Sequence, residues 1–179
     1  MARNPGKEFE EQLKQSTTDQ NIFFYRIKDV PTMMLKPNAQ VGKNDFDSFI
    51  YKYPNLFPVE LKSTAQKSIA FDEKIIKAHQ IKALKEAAEY EGLIAGFIFN
   101  FRNYDNYTAF IHINDFIEIK ELSQKEISEY KYKSKLNKSS IGLDIVKEVG
   151  IEIKNVKKRV KYRYFVKQFL DELINKYKD

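Results

Sequence analysis

Residues 47–62, DSFIYKYPNLFPVELK, hold two carboxylates and an ammonium at spacings that suit metal-assisted chemistry. Asp47 opens one apolar run, Glu60-Leu61-Lys62 lies inside a second, and Pro54-Asn55 is the turn between them. Residues two apart on a strand share a face, so Glu60 and Lys62 point one way while Val59 and Leu61 point into a core. If the runs pair as a hairpin across that turn, Asp47 comes to lie beside Glu60. Two carboxylates and an ammonium at one spot suit a metal ion better than a core.

Spacing by itself does not single out this set. Glu-x-Lys occurs four times, at Glu60/Lys62, Glu118/Lys120, Glu129/Lys131 and Glu152/Lys154, and Asp105 precedes Glu118 by the same thirteen residues that separate Asp47 from Glu60. Context separates the two pairs. No turn signal lies midway between Asp105 and Glu118, so a single strand over residues 107–119 would hold them far apart at about 3.3 Å per residue. The competing reading of Glu60 and Lys62 is an ordinary ion pair on an edge strand, and the residues alone leave it open.

The elements that must position these groups are legible in outline. Phe9 and Leu13 after Asn4-Pro5-Gly6 predict a first helix over about residues 7–15, with Glu10 and Glu11 on its polar side. Residues 21–30 read as a strand, followed by a proline-bearing loop that carries Met33 and Met34. The apolar spacing of Ile75, Ile76, Ala78, Ile81, Leu84, Ala87 and Ala88 predicts an amphipathic helix over residues 71–90, ended by Gly92. Residues 93–101 and 107–119 read as two more strands, the first apolar almost throughout and therefore central. In the tail, residues 123–132 and 141–150 read as short helices and 168–177 as a closing amphipathic helix. The order predicts an α/β fold, a mixed sheet flanked by helices. With no repeat or linker, the 179 residues form one domain, with a core over about 1–120 and a basic, helical C-terminal extension over about 121–179 packed on it.

Charge is unevenly distributed. The net charge is +6, yet residues 1–119 carry 15 basic and 16 acidic side chains against 16 and 9 in residues 120–179. A clustered basic surplus is the footprint of a polyanionic partner, nucleic acid before membrane. Lys157, Lys158, Arg159, Lys161 and Arg163, interleaved with Tyr162 and Tyr164, are the candidates to hold phosphates, with Arg26 on the first strand as one more contact. The chain has no cysteine, which excludes a thiolate zinc site and a disulfide scaffold. With neither a signal-peptide stretch nor a long uncharged apolar run, the expectation is a soluble, cytoplasmic protein with no membrane partner.

In order, Gly6 to Glu10 on a first helix, Asp47 on the second strand, Glu60-Leu61-Lys62 on the third and His79-Gln80 on the next helix resemble the PD-(D/E)xK, restriction-endonuclease-like nuclease core. More closely, GKEFE, YPNLFPVELKS, KAHQIKAL and KKRVKYRY resemble the RecU-type Holliday junction resolvases, in particular their shorter phage-borne members. The resemblance covers nearly the whole chain. It departs from the pattern in having Phe46 before Asp47 and a short loop between the first two strands.

What the resemblance implies is specific. Asp47 and Glu60 ligate a metal together with the backbone carbonyl of Leu61, and Glu10 joins them directly or through water. Mg²⁺ suits a site that keeps waters and accepts a phosphate oxygen, and Mn²⁺ substitutes for it. Lys62 positions or helps deprotonate the attacking water, and Gln80 orients that water or a phosphate. The reaction is hydrolysis of branched DNA, a four-way junction, by a homodimer whose two-fold axis matches that of the substrate. Two alternatives remain: a nuclease of the same core with another DNA substrate, in restriction or repair, and a catalytically silent DNA-binding protein. His79 is read as a surface residue and His112 as structural.

Overall fold

Asn4 starts the first helix, its side chain accepting a hydrogen bond from Gly6 N at 3.0 Å while Pro5 supplies the preset φ of the first turn. This helix, α1 (Pro5–Thr18), buries Phe9 and Leu13 one turn apart. In the computed structural model, residues 4–28, 44–125 and 131–177 are described. Met33, Met34 and their loop lie outside them, as do residues 126–130, half of the helix predicted over 123–132.

The strands β1 (Phe23–Arg26), β2 (Ser48–Lys52) and β3 (Asn55–Thr64) form an antiparallel meander, with the β2–β3 turn at Tyr53-Pro54, one residue before the Pro54-Asn55 expected, because Asn55 already pairs with Lys52. A short strand, β4 (Ser68–Ala70), precedes α2 (Ala78–Ala87). The predicted helix over 71–90 is therefore shortened at its start. Asp72 closes a separate turn there, its carbonyl accepting from Ile75 N and Ile76 N and its carboxylate from Lys74 N, and Glu73 then accepts from Ala78 N at the head of α2. Next come β5 (Gly96–Phe101), β6 (Tyr107–His112) and α3 (Ile113–Gln124).

The single strand predicted over 107–119 is thus a strand and a helix. His112 makes the break: its Nδ1 accepts from Asn114 N at 3.2 Å as the cap of α3, whose buried Ile113, Phe116 and Ile119 recur at helical spacing. The chain ends with β7 (Ser140–Gly142), α4 (Leu143–Val149), β8 (Ile151–Glu152), β9 (Asn155–Lys158), β10 (Lys161–Tyr164) and α5 (Val166–Lys176). Of the helix predicted over 141–150, the first two residues belong to β7 instead. The C-terminal region keeps two helices, and its basic run lies between them on the β9–β10 hairpin.

The main sheet has the order β1-β2-β3-β5-β6-β8, with β3 parallel to β5 and every other neighbour antiparallel. It is the predicted mixed sheet flanked by helices. On one face, Phe97 and Phe99 of β5 pack with Phe116 of α3 and Leu84 of α2; on the other, Phe57, Val59 and Ile98 pack with Phe9 and Leu13 of α1 and Phe169 and Leu170 of α5. Apolar side chains on both faces explain why β5 is buried along its whole length. A Cβ on Gly96 would stand 2.2 Å from the Ile111 carbonyl oxygen, so β5 and β6 approach as they do only because that residue is glycine.

The hairpin is held against α1 by its backbone edge. Tyr162 N donates to Gln12 Oε1 at 3.2 Å and Tyr164 N to Ser16 Oγ at 3.0 Å, while Gln20 Nε2 donates to the Tyr164 carbonyl at 2.7 Å. Four helical residues advance about 6 Å and two strand residues about 6.7 Å, so polar side chains four apart can satisfy alternate groups along a strand edge. No helix among the described residues is long and apolar enough to cross a membrane.

Candidate active site

Ser48 faces Val59 in the β2–β3 ladder, so Asp47, one residue before β2, lies opposite Glu60. Ser48 and Val59 are buried toward α1, which sends Asp47 and Glu60 to the other face of the sheet. Two contacts hold Asp47 where it is: its carbonyl accepts from Ile27 N at 2.9 Å, and its Oδ2 accepts from Leu61 N at 2.9 Å. On a strand the N–H and C=O of one residue share an edge, so the Leu61 carbonyl faces the Asp47 side as well.

Glu60 is 2% exposed, and its two oxygens differ. Oε1 accepts from Lys62 Nζ at 2.7 Å and from Gln80 Nε2 at 2.6 Å. Oε2 is buried without a hydrogen-bond partner. Burial, and then the negative charge of Asp47, push the Glu60 carboxyl up to about 7 against the pull of Lys62. Gln80 is held in turn: its Oε1 accepts from Lys77 N at 3.3 Å at the head of α2 and from Lys62 Nζ at 3.4 Å. The side chains of Glu60, Lys62 and Gln80 therefore form one closed group, with Asp47 beside it.

Glu10 reaches the cluster from α1. It is ion-paired with Arg26, which follows Tyr25 on β1. Burial raises the Glu10 carboxyl above its ordinary range, Arg26 lowers it, and Asp47 raises it again. Asp47 thus acts on both Glu10 and Glu60, and the three carboxylates form one electrostatic unit. Arg26, expected to touch DNA, is placed against Glu10 within this unit.

Among the described residues no three His, Asp or Glu side chains stand close enough to hold a metal by themselves. A cation held by Asp47 and Glu60 would need the Leu61 carbonyl and water to complete its donor set, and Mg²⁺ is a cation that binds through one or two carboxylates and retains waters. A buried carboxylate oxygen with no partner, flanked by a second carboxylate, fits a hard divalent cation.

The other Glu-x-Lys with a matching aspartate is not built this way. Glu118 lies on α3, where its carboxylate accepts from Lys131 Nζ at 3.1 Å and from Tyr132 Oη at 3.2 Å. Glu118 is thus paired on α3, whereas the β2–β3 turn brings Glu60 beside Asp47. His112 stacks on Tyr177 with ring centroids 4.7 Å apart, and burial lowers its pKa, in keeping with a structural role.

The basic residues are exposed on the hairpin but do not share one face. Lys158 pairs with Lys161 and Val156 with Arg163, placing three cations on one side, while Lys157 pairs with Tyr162 on the other, its Nζ 5.9 Å from that ring centroid. Arg159 is in the two-residue turn, with φ of 46°. Arg102, which composition gave no reason to single out, donates from Nη1 to Ser63 Oγ at 3.0 Å, next to Lys62 in the chain. With Pro5, Glu8, Val160 and Tyr162 it lines a cleft of about 160 Å³ between α1 and the hairpin.

No family model matches the chain. It is 49% identical over 175 residues to the SPbeta prophage-derived uncharacterized protein YotM of Bacillus subtilis (strain 168), a span of 98% of this chain and 89% of that protein. Among solved structures it is similar to Hjc of Archaeoglobus fulgidus, a Holliday junction resolvase from an archaeal hyperthermophile. That likeness has a TM-score of 0.47 and 13% identity, and it covers 82% of this chain and 96% of the other.

Proposed function

The chain belongs to the same family as the prophage protein YotM, and we propose that it is a metal-dependent endonuclease that cuts branched DNA, a four-way junction in particular. The observation that carries this reading is Glu60: a buried carboxylate shared between Lys62 and Gln80, with one oxygen left unpartnered beside Asp47. A structural ion pair has no need of a second acid pressed against it or of an oxygen withheld from hydrogen bonding.

Asp47, Glu60 and the Leu61 carbonyl would hold the cation, Mg²⁺ or Mn²⁺, with Glu10 joining through water or on release from Arg26. The bound cation supplies Lewis-acid polarisation of a phosphoryl oxygen and a water acidified toward neutral pH. Lys62, held at Glu60 Oε1, presents its ammonium where a water must line up and where negative charge grows on the phosphoryl oxygens. Gln80 keeps Glu60 and Lys62 in register, and its own attachment at the head of α2 makes that placement rigid. The exposed cations of the hairpin would bind the phosphate backbone, and Arg102 would extend their track along the cleft beside α1. Such contacts position a duplex without reading its sequence, so selectivity would follow branched shape. Paired cuts across a two-fold junction call for two copies of the site, hence a homodimer.

The test is cleavage of a synthetic four-way junction against linear duplex of the same sequence, with Mg²⁺, with Mn²⁺ and with chelator. Cation-dependent cutting of the junction, lost in Asp47→Asn and Glu60→Gln while junction binding persists, is the expected outcome. Cutting of duplex alone would shift the substrate to linear DNA. Binding without cutting under any divalent ion would leave a DNA-binding protein.

A further inference from the structure

Glu8, Glu11, Gln15 and Asp19 follow one another at steps of three and four along α1 and its C-cap, so they form one polar stripe. Gln12 and Ser16, which anchor the hairpin, stand beside that stripe. The stripe lines one wall of a groove of about 590 Å³ whose other wall is the hairpin face bearing Lys158, Lys161 and Arg163. Lys14 is the one cation on the α1 wall. Among the described residues no ion pair joins the two walls. Glu8 and Asp19 are held on α1 itself, accepting from Gln12 Nε2 at 3.1 Å and from Gln15 Nε2 at 2.8 Å.

A groove with opposite charges on facing walls treats phosphate in two ways. The hairpin wall attracts it, and the three carboxylates of the α1 wall repel it. Sites of ~300–1,000 Å³ take one small molecule, so a groove of this size accepts a short stretch of one backbone and no duplex. In B-DNA the second backbone lies across a minor groove ~6 Å wide. A duplex with one strand seated along the hairpin wall therefore brings phosphates of the other toward Glu8, Glu11 and Asp19. Where strands part at a branch point, one backbone enters without a second beside it, and the repulsion is avoided.

We infer that the α1 stripe is a specificity-determining wall: Glu8, Glu11 and Asp19 turn away continuous duplex, while the hairpin cations hold the backbone of a strand leaving a branch point. This rests on the DNA reading above and gives the preference for branched shape a physical basis. Affinity comes from the cations and discrimination from the carboxylates.

Fluorescence anisotropy in chelator, with a labelled four-way junction and a labelled linear duplex at one salt concentration, tests this without cutting. Glu11→Gln/Asp19→Asn removes two negative charges at exposed positions and leaves the Gln12 and Ser16 anchors in place. Its affinity for duplex should rise on the order of tenfold and its affinity for the junction by less than about threefold, so that discrimination falls. Glu89→Gln/Glu91→Gln, which changes net charge equally in the turn after α2 and outside the groove, should discriminate as the wild type does. Wild-type far-UV circular dichroism and a thermal midpoint no lower than that of the wild type would show that both variants are folded. Glu11→Lys repeats the test with a single exposed substitution and should shift discrimination the same way. Equal tightening on both substrates, or no change on either, overturns the inference, as does an equal loss of discrimination in the Glu89/Glu91 variant. A wild type that binds neither DNA overturns the DNA reading and this one together. Discrimination lost as expected, in a protein that cuts neither substrate with Mg²⁺, would count against the nuclease reading alone.

Discussion

Glu60 ties stability to pH at the scale of a single residue. In the unfolded chain its carboxyl titrates near 4.5, and in the fold near 7. Between these values the folded state holds the extra proton, so stability falls as pH rises from about 4.5 to 7 and remains lower above that. Glu10, raised in the same direction, adds to the trend. Metal-free protein should therefore lose up to about 3 kcal/mol across this window, a loss that thermal melts at a series of pH values would register. Glu60→Gln keeps an acceptor for Lys62 and Gln80 but removes the titration, so its melting temperature should exceed that of the metal-free wild type at pH 8. Added Mg²⁺ should raise the wild-type midpoint at pH 8 and leave that of Glu60→Gln unmoved. Equal pH profiles for the two proteins would remove Glu60 from the titrating cluster.

At the scale of elements, the β9–β10 hairpin and α1 form one unit, since Gln12 and Ser16 of α1 and Gln20 just past its end satisfy the strand edge. This backing holds the strands while Lys158, Arg159, Lys161 and Arg163 stay in solvent. If about six phosphates are neutralised, the logarithm of DNA affinity should fall against the logarithm of salt with a slope on the order of −5. Lys158→Ala/Arg159→Ala should then flatten that slope by about 2, at roughly 0.9 for each lost contact, as read from fluorescence anisotropy over a salt series. A slope equal to that of the wild type would take the hairpin turn off the DNA surface. Neither change touches the anchor on α1, so the variant should melt as the wild type does.

For the molecule as a whole, the sheet places two surfaces in fixed relation: the acidic cluster where the β2–β3 hairpin opens and the basic hairpin across α1. If the protein acts as a two-fold pair, the proposed function would have both cuts fall within the lifetime of one complex. A supercoiled plasmid that extrudes a cruciform should accordingly be converted to linear product with little nicked circle, as resolved on an agarose gel. Nicked circle as the lasting product would mean that the sites act singly.

Much of this was readable in the chain because it rests on short-range rules. The β2–β3 hairpin followed from a turn dipeptide between two apolar runs, and it alone was enough to set Asp47 opposite Glu60. The apolar run of β5 announced a central strand, and the late surplus of cations announced a charged surface. Local pattern misled at His112, where alternation continued past a capping side chain into α3, and before α2, where Asp72 closed a turn inside an apparently helical period. Other features depend on residues distant in sequence and have no local signal. The pairing of Arg26 with Glu10, the unpartnered oxygen of Glu60 and the exposure of Phe23, Tyr25 and Tyr51 are of this kind. Sequence by itself determined which groups could do chemistry and which of them a single turn would join. Burial decided the rest: only the packed sheet could withhold water from Glu60 and leave Phe23, Tyr25 and Tyr51 exposed.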